Sequence, residues 1–360
     1  MSQNHRAPGR GTAFVMVGAF LAVLLSAVLA IVRLPYAVIG PGPAFDTLGT
    51  MDDGSSLITV KEQKTYPTSG SLFFTTASIL GGPDRHVTGW EVVQGALDPN
   101  QDVLPEEQVY PADATTKQVE EEQQAQMAGS QQEAIAIALR STGETVPSIV
   151  TVSAVGDDAA AKGILEVDDR VIAVDGHKAS NAAEIVERVR DREPGDKVEM
   201  TVVRDGAQRT VNAPTAKGSE GQAALGVLLA SEFDLPYPVT IDAGDVGGPS
   251  AGMMFALAVR DVITPGAMTG GAAIAGTGTI DDAGAVGPIG SIDHKLVGAK
   301  RAGATWFLAP ESNCDEVVGH VPDGLTVVSV ATFDDAVKAV DAIAAGETSG
   351  PAPSDLSSCG

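Results

Sequence analysis

The chain has 360 residues, a formal net charge of −24, and 44% hydrophobic but only 4% aromatic residues. That length allows two or three domains with cores of Ala, Val, Ile and Leu. The dispersed acidic charge argues against nucleic acid as a partner, and two cysteines exclude a disulfide scaffold.

The first element is "AFVMVGAFLAVLLSAVLAIV" at 13–32, an uncharged apolar run about one bilayer thick. His5, Arg6 and Arg10 precede it with no acidic residue. The positive-inside bias then predicts a cytoplasmic tail (1–12), a single transmembrane anchor (13–33) and an extracytoplasmic remainder, at the cell membrane. A cleaved signal peptide is the alternative: "VLA" at 28–30 has the form of a cleavage site, but the apolar run exceeds a usual signal core. Residues 34–127 form an extracytoplasmic N-terminal region. Its Pro/Gly-rich start "RLPYAVIGPGPAFDTLG" reads as extended chain, and "SLFFTTASIL" at 71–80 as a strand, assignable either here or to the C-terminal domain. From 91 to 117 the pattern predicts loop with short elements. Residues 118–140 predict a helix, with acidic residues early, an apolar stripe late and Arg140 in the last turn. Its "QVEEEQQ" reads as a solvated face.

Between 146 and 213 the pattern sharpens. "SIVTVSAV" predicts a strand. "DDAAAKGILEVDDRVIAVDG" predicts a short helix, a turn and a strand. "NAAEIVERVRD" predicts an amphipathic helix, and "GDKVEMTVVRDGAQRTVNA" a hairpin turning at Asp205-Gly206. This order resembles a bacterial PDZ domain, assigned to 128–215. The resemblance implies binding of an extended peptide as an added strand beside the second helix. The loop that holds the peptide carboxylate is expected before Ile149, around "RSTGETVPS", which lacks a glycine-hydrophobic-glycine pattern.

Residues 222–345 alternate strands and helices with Gly-rich turns, as an α/β or α+β domain does. Residues 346–360 are polar and rich in Pro, Ser and Gly, and read as a flexible tail. Within the alternating part, "DVGGPSAGMM" at 245–254 crowds Ser250 with Gly248 and Pro249 just before an apolar run. Pro249 suits the first turn of a helix, which places Ser250 near the unpaired N–H groups and positive end of that helix. A nucleophile with an oxyanion site fits there; so does an ordinary helix cap.

A serine nucleophile needs a base. His5 is assigned to the cytoplasm, and His86, His177, His294 and His320 lie in no recognisable hydrolase setting. The stretch around Ser250 lacks the strand-elbow-helix setting of the α/β-hydrolase G-x-S-x-G, and no HExxH or Cys/His metal spacing occurs, so neither a metal nor a cofactor is expected. The remaining base is a lysine made neutral by burial. In "AVGPIGSIDHKLVGAKRAGATWFLAP", Lys300 and Arg301 suit a helix C-terminus, whereas Lys295 lies at the edge of the apolar stripe.

"GGPSAG" and "GPIGSIDHKLVGAKRAGA" together resemble the proteolytic domain of the Lon proteases, a Ser-Lys dyad family, assigned to 220–345. A gapless register puts Lys295, not Lys300, at the catalytic lysine. It puts Thr277-Gly278 at a Thr-Gly pair whose Thr lies near the lysine amine. Two departures are Gly247 where an Asp is frequent, with Asp245 the nearest acidic residue, and Ser291 where Gly is common. No G-x-x-x-x-G-K-[ST] accompanies the domain. Anchor, PDZ and Lon-type domain in this order resemble the YlbL-type PDZ proteases of bacteria. The expected fold is α+β and multidomain: a single N-terminal transmembrane helix, a PDZ domain and a Lon-type α/β proteolytic domain.

The resemblance implies an ATP-independent serine endopeptidase at the membrane. Ser250 and Lys295 are its catalytic pair, with Thr277, Gly248 and Pro249 supporting. Its partners would be protein or peptide substrates held in the PDZ groove, and a homo-oligomeric ring is implied because Lon-type domains commonly form one. A PDZ-based scaffold with a weak or inactive protease domain is the alternative. Cys314 and Cys359 share the oxidising side; a disulfide pinning the tail and two separate thiols are equally open.

Overall fold

The computed structural model describes residues 10–50, 54–111, 114–218, 221–346 and 357–359. Helix α1 (Arg10–Ile31) covers the N-terminal apolar run. Its Phe14–Ile31 stretch has a mean hydropathy of 2.8 and no buried residue, and is long and apolar enough to cross a membrane. Strands β1 (Tyr36–Asp46), β2 (Ile58–Val60) and β3 (Ser71–Leu80) follow, then helix α2 (Gly89–Leu97), strand β4 (Asp102–Pro105) and helix α3 (Thr116–Ser141). The strand at 71–80 and the helix at 118–140 are both present. The stretch 91–117 holds short elements joined by loops, as its pattern predicts. Helix α2 is started by a capping box in which the Glu91 N–H donates to the Thr88 hydroxyl and the Glu91 carboxylate accepts from the Thr88 N–H. The T-x-x-E at 88–91 was the legible signal.

The chain separates into two compact units: residues up to Pro43 with Thr76–Glu121, and Ala44–Thr75 with everything from Glu122 onward. In the first unit, β1 and β4 pair antiparallel, with Tyr36 opposite Pro105 and Ile39 opposite Asp102.

The second unit contains two parts, with one buried apolar cluster in the first and two in the other. The first comprises strands β5 (Ser148–Val155) and β6 (Arg170–Val174), helix α4 (Ala182–Arg190), and strands β7 (Lys197–Arg204), β8 (Ala207–Pro214) and β9 (Val227–Phe233). These strands make one antiparallel sheet in the order β8-β7-β6-β5-β9. Val152, Leu165, Ile185 and Met200 are buried inside it. The β7–β8 hairpin turns at Asp205 and Gly206, both with positive φ, as an Asp-Gly turn requires. The short helix expected after Asp157 is replaced by turns. Asp168 adopts a left-handed conformation, and Arg204 reaches in, its Nε and Nη2 each 2.6 Å from the Asp169 carboxylate. A side chain 35 residues away thus sets this loop.

The other part comprises strands β10 (Val239–Ile241), β11 (Ala273–Gly276), β12 (Thr279–Ile280), β13 (Val286–Gly287), β14 (Trp306–Pro310) and β15 (Thr326–Val330), with helices α5 (Gly252–Ile263), α6 (Ile292–Arg301) and α7 (Phe333–Ala344). Ser71–Phe74 of β3, then β11, β14 and β15 form a parallel run. Trp306 and Leu308 of β14 join the cluster with α5 and α7, while Phe307 and Ala309 join the cluster with α6. A strand covered on both faces needs the unbroken apolar run "WFLAP".

Two expected boundaries move. Ala134–Leu139 of α3, placed at the start of the PDZ domain, pack instead with Met253–Val259 of α5. Strand β9, placed in the proteolytic domain, pairs with β5 and closes the PDZ sheet. The 71–80 strand joins the parallel sheet, so the PDZ domain interrupts the other fold. It enters at Ser148 and leaves at Phe233, which are paired across the sheet. Most of the tail expected to be flexible lies outside the described residues. At 357–359 the Ser329 N–H donates to the Ser357 carbonyl, and Cys359 forms a disulfide with Cys314. Of the two readings left open for the cysteines, the bridge is the one present.

Candidate active site

Ser250 lies in the turn that leads into α5 and is half-buried. The helix begins later than the Pro249 signal suggests: its first residue is Gly252 and its N-cap is Ala251, so Pro249 and Ser250 stand just outside it. The reason is a competing set of partners. The Met253 N–H donates to the Gly278 carbonyl (3.1 Å), and the Gly278 N–H donates to the Ser250 carbonyl (2.8 Å). The serine turn is therefore laid against the end of β11. Gly252 permits this approach, because a Cβ there would lie 2.6 Å from Ser130 Oγ and 2.9 Å from Ile280 Cγ2.

Helix α3 supports the other side of the turn. Ser130 Oγ donates to the Pro249 carbonyl (3.0 Å), and the Gly248 N–H donates to the Gln123 carbonyl (2.9 Å). Gly248 has φ +85°, a left-handed conformation that suits glycine. Neither Ser130 nor Gln123 was a sequence candidate. They lie more than a hundred residues upstream in a helix whose only local message is its own amphipathic end.

Thr277 is fully buried at the end of β11. Its Oγ1 donates to the Ser250 carbonyl (2.9 Å) and accepts from Lys295 Nζ (3.0 Å). Lys295 comes from α6 and is 4% exposed. Burial pushes its pKa down to about 8. Ser291, one residue before α6, has φ +58°. This left-handed backbone explains why glycine suits the position. Lys300 points elsewhere, its Nζ donating to the Gly324 carbonyl, and Asp245 is exposed. The structure thus brings Lys295 to Thr277 and Thr277 to the backbone of Ser250. His294 is buried beside Asp293, while His177 and His320 are exposed.

In the PDZ sheet, an apolar groove of about 400 Å³ runs between α4 and the segment Gln222–Leu229. Ile185, Val186 and Val189 line one side, Leu225 and Leu229 the other. The end loop of the groove is therefore around Leu225-Gly226-Val227, not around "RSTGETVPS", which instead links α3 to β5. Gly226 has φ +77°, and a Cβ there would lie 2.8 Å from Ala159. Leu225-Gly226-Val227 is not the glycine-hydrophobic-glycine pattern sought, and it lies downstream of the hairpin.

The structure thus places a buried lysine and a serine turn on either side of Thr277, on one parallel-sheet fold. In comparison with known families, residues 239–342 match the Lon protease (S16) C-terminal proteolytic domain, and residues 120–215 match the PDZ domain. A Lon protease of Clostridium beijerinckii is 38% identical over 110 residues, covering 30% of this chain and 14% of that protein. Lon protease 1 of Bacillus subtilis is 30% identical over 142 residues, covering 38% of this chain and 18% of that protein. The chain thus spans less than a fifth of the length of either relative. The crystal structure of the PDZ domain of an SdrC-like protein from Listeria innocua is 22% identical, covers 22% of this chain and 92% of that one, and superposes with a TM-score of 0.22.

Proposed function

We propose that the chain is a membrane-anchored serine endopeptidase in which Lys295 activates Ser250, and that its PDZ groove recruits protein substrates. The observation that carries this reading is the buried Lys295 amine, bonded to Thr277, which in turn holds the Ser250 backbone. With a pKa near 8, a useful fraction of Lys295 is neutral at physiological pH and able to take a proton. Ser250 Oγ attacks the substrate carbonyl as Lys295 accepts its proton. Backbone N–H groups of the turn that precedes α5, that of Ser250 among them, stabilise the oxyanion. Lys295 then returns the proton to the leaving amine and serves as base again when water releases the acyl group. Thr277 orients the amine, while Gly248 and Pro249 shape the turn.

The membrane placement rests on the exposed apolar helix α1 and the basic residues before it. The Cys314–Cys359 disulfide supports an oxidising, extracytoplasmic setting for the rest. Protein substrates would meet the chain already unfolded or locally open, since no phosphate-binding loop lies within these residues. Adding ATP and Mg²⁺ to the purified chain is therefore expected to leave hydrolysis of fluorescein-labelled denatured casein unchanged; a clear stimulation would refute this part of the reading.

The pH profile tests the assignment of Lys295. The base must be neutral, so kcat is expected to rise through an apparent pKa near 8 and level off above it. Lys300→Ala should preserve this profile. A limb lying near pH 6 would point to a histidine base instead.

A further inference from the structure

We infer that Asp282 is a positioning residue that transmits the state of the PDZ groove to the Ser250–Lys295 pair. The inference rests on the proteolytic reading above.

Asp282 sits at the tip of the β12–β13 hairpin and is 4% exposed. Its Oδ2 accepts two hydrogen bonds from the PDZ domain: from the Ala182 N–H (2.9 Å) and from Ser231 Oγ (3.0 Å). Ala182 is the first residue of α4, and Ser231 lies in β9. These two elements are the walls of the apolar groove. One carboxylate therefore ties both walls together, with its charge at the positive end of α4. The Asp282 carbonyl also accepts from Arg140 Nη1 of α3 (2.7 Å). Glu133 on α3, Asp281 in the same turn, and Glu187, Arg190 and Asp191 on α4 complete its charged surroundings.

The base of the same hairpin is the candidate active site. Strand β12 starts directly after Thr277-Gly278, the two residues that hold the Ser250 carbonyl. Ile280 packs on Gly252, and Val286 on Gly278. Strand β13 leads through Pro288-Ile289-Gly290 into α6, which carries Lys295. A shift at the tip thus acts on both ends of the lysine–threonine bond. A peptide added along β9 and against α4 changes the spacing of the groups that Asp282 bridges. Such a two-ended element can report occupancy in the groove as a change in the dyad.

The test uses the full chain in detergent, with fluorescein-labelled denatured casein as substrate and kcat and KM followed from pH 6 to 10. Asp282→Ala removes the acceptor. Ala182→Pro removes one donor from the PDZ side alone, at a helix position that accepts proline and after an extended residue, Asn181. Both are expected to lower kcat at pH 8 about tenfold and to move the acid limb upward by about one pH unit, because a loosened hairpin lets water reach the buried Lys295 amine and weakens the desolvation that lowers its pKa. Asp282→Asn keeps an acceptor oxygen and should restore kcat to within about threefold of the original. A purely structural role would lower the folded fraction without moving the limb. Folded Asp282→Ala or Ala182→Pro protein with unchanged kcat and limb, or with only KM altered, would overturn the inference. Absence of Ser250-dependent casein cleavage in the unaltered chain would overturn the protease reading instead.

Discussion

Ser250→Ala and Lys295→Ala are each expected to lower casein hydrolysis at least about a thousand-fold, because nucleophile and base act as a unit and either loss removes the same step. Substantial cleavage by purified Ser250→Ala protein would sink the dyad. An inactive Lys300→Ala protein alongside an active Lys295→Ala protein would show the lysine register to be wrong. Lys295 also carries a stability signature that a surface lysine would lack. Its pKa falls from an ordinary 10.5 to about 8 on burial, so the folded state resists its charge. Below pH 8 the full penalty is present; it is relieved as the pH rises from 8 toward 10.5, where the unfolded chain binds more protons than the folded one. That difference corresponds to about 3 kcal/mol. Lys295→Met fills the same space without charge. It is expected to be inactive yet more heat-stable at pH 7, with the gain shrinking at pH 10, as thermal melts of both proteins would show. A destabilised Lys295→Met protein would mean that the amine is not desolvated.

Removing the PDZ domain should separate recruitment from chemistry. Ser148 and Phe233 face each other as paired residues, so a short Gly/Ser turn can replace 149–232 with little added loop entropy. Phe233 should be kept, since Arg140 stacks on its ring (5.4 Å) and the Asp234 N–H donates to the Pro147 carbonyl. The two parts of the unit share no buried apolar residue, which favours folding of the remainder. Loss of the Asp282 contacts should lower cleavage of a short peptide about tenfold, whereas cleavage of protein substrates should fall at least about another tenfold through lost local concentration. Circular dichroism of the excised chain checks its fold first. Equal losses for short peptide and protein would remove the selector role and leave the PDZ domain as a spacer or assembly contact.

The excision site differs from the boundary that the sequence suggests, and the reason is physical. Strand β9 reads as "VLLASEF", with a pattern that fits either neighbouring domain. Only its pairing with β5 assigns it. Helix α3 is legible as a helix, but its sequence does not say which core receives Ala134–Leu139. Periodicity reports that a face is buried and is silent about what buries it. The same limit hid the supports of the serine turn. The Gln123 carbonyl and Ser130 hydroxyl act through positions that any helical sequence could supply.

By itself, the sequence determined the local and the strongly patterned features. These are the apolar N-terminal helix, the strand at 71–80 and the PDZ helix and hairpin; the register that relates Ser250, Thr277 and Lys295 came from the resemblance to the Lon proteolytic domain. Each rests on spacing within a few residues or on a motif whose glycines and proline answer a local backbone need. Tertiary structure alone decided three things: that β9 closes the PDZ sheet, that α3 braces the Ser250 turn, and that Asp282 bonds α4 and β9 from the hairpin that follows Thr277. Those depend on which surfaces meet across 50 to 120 residues of chain. Such meetings are set by burial and hydrogen-bond satisfaction in three dimensions, and leave no periodic trace along the sequence.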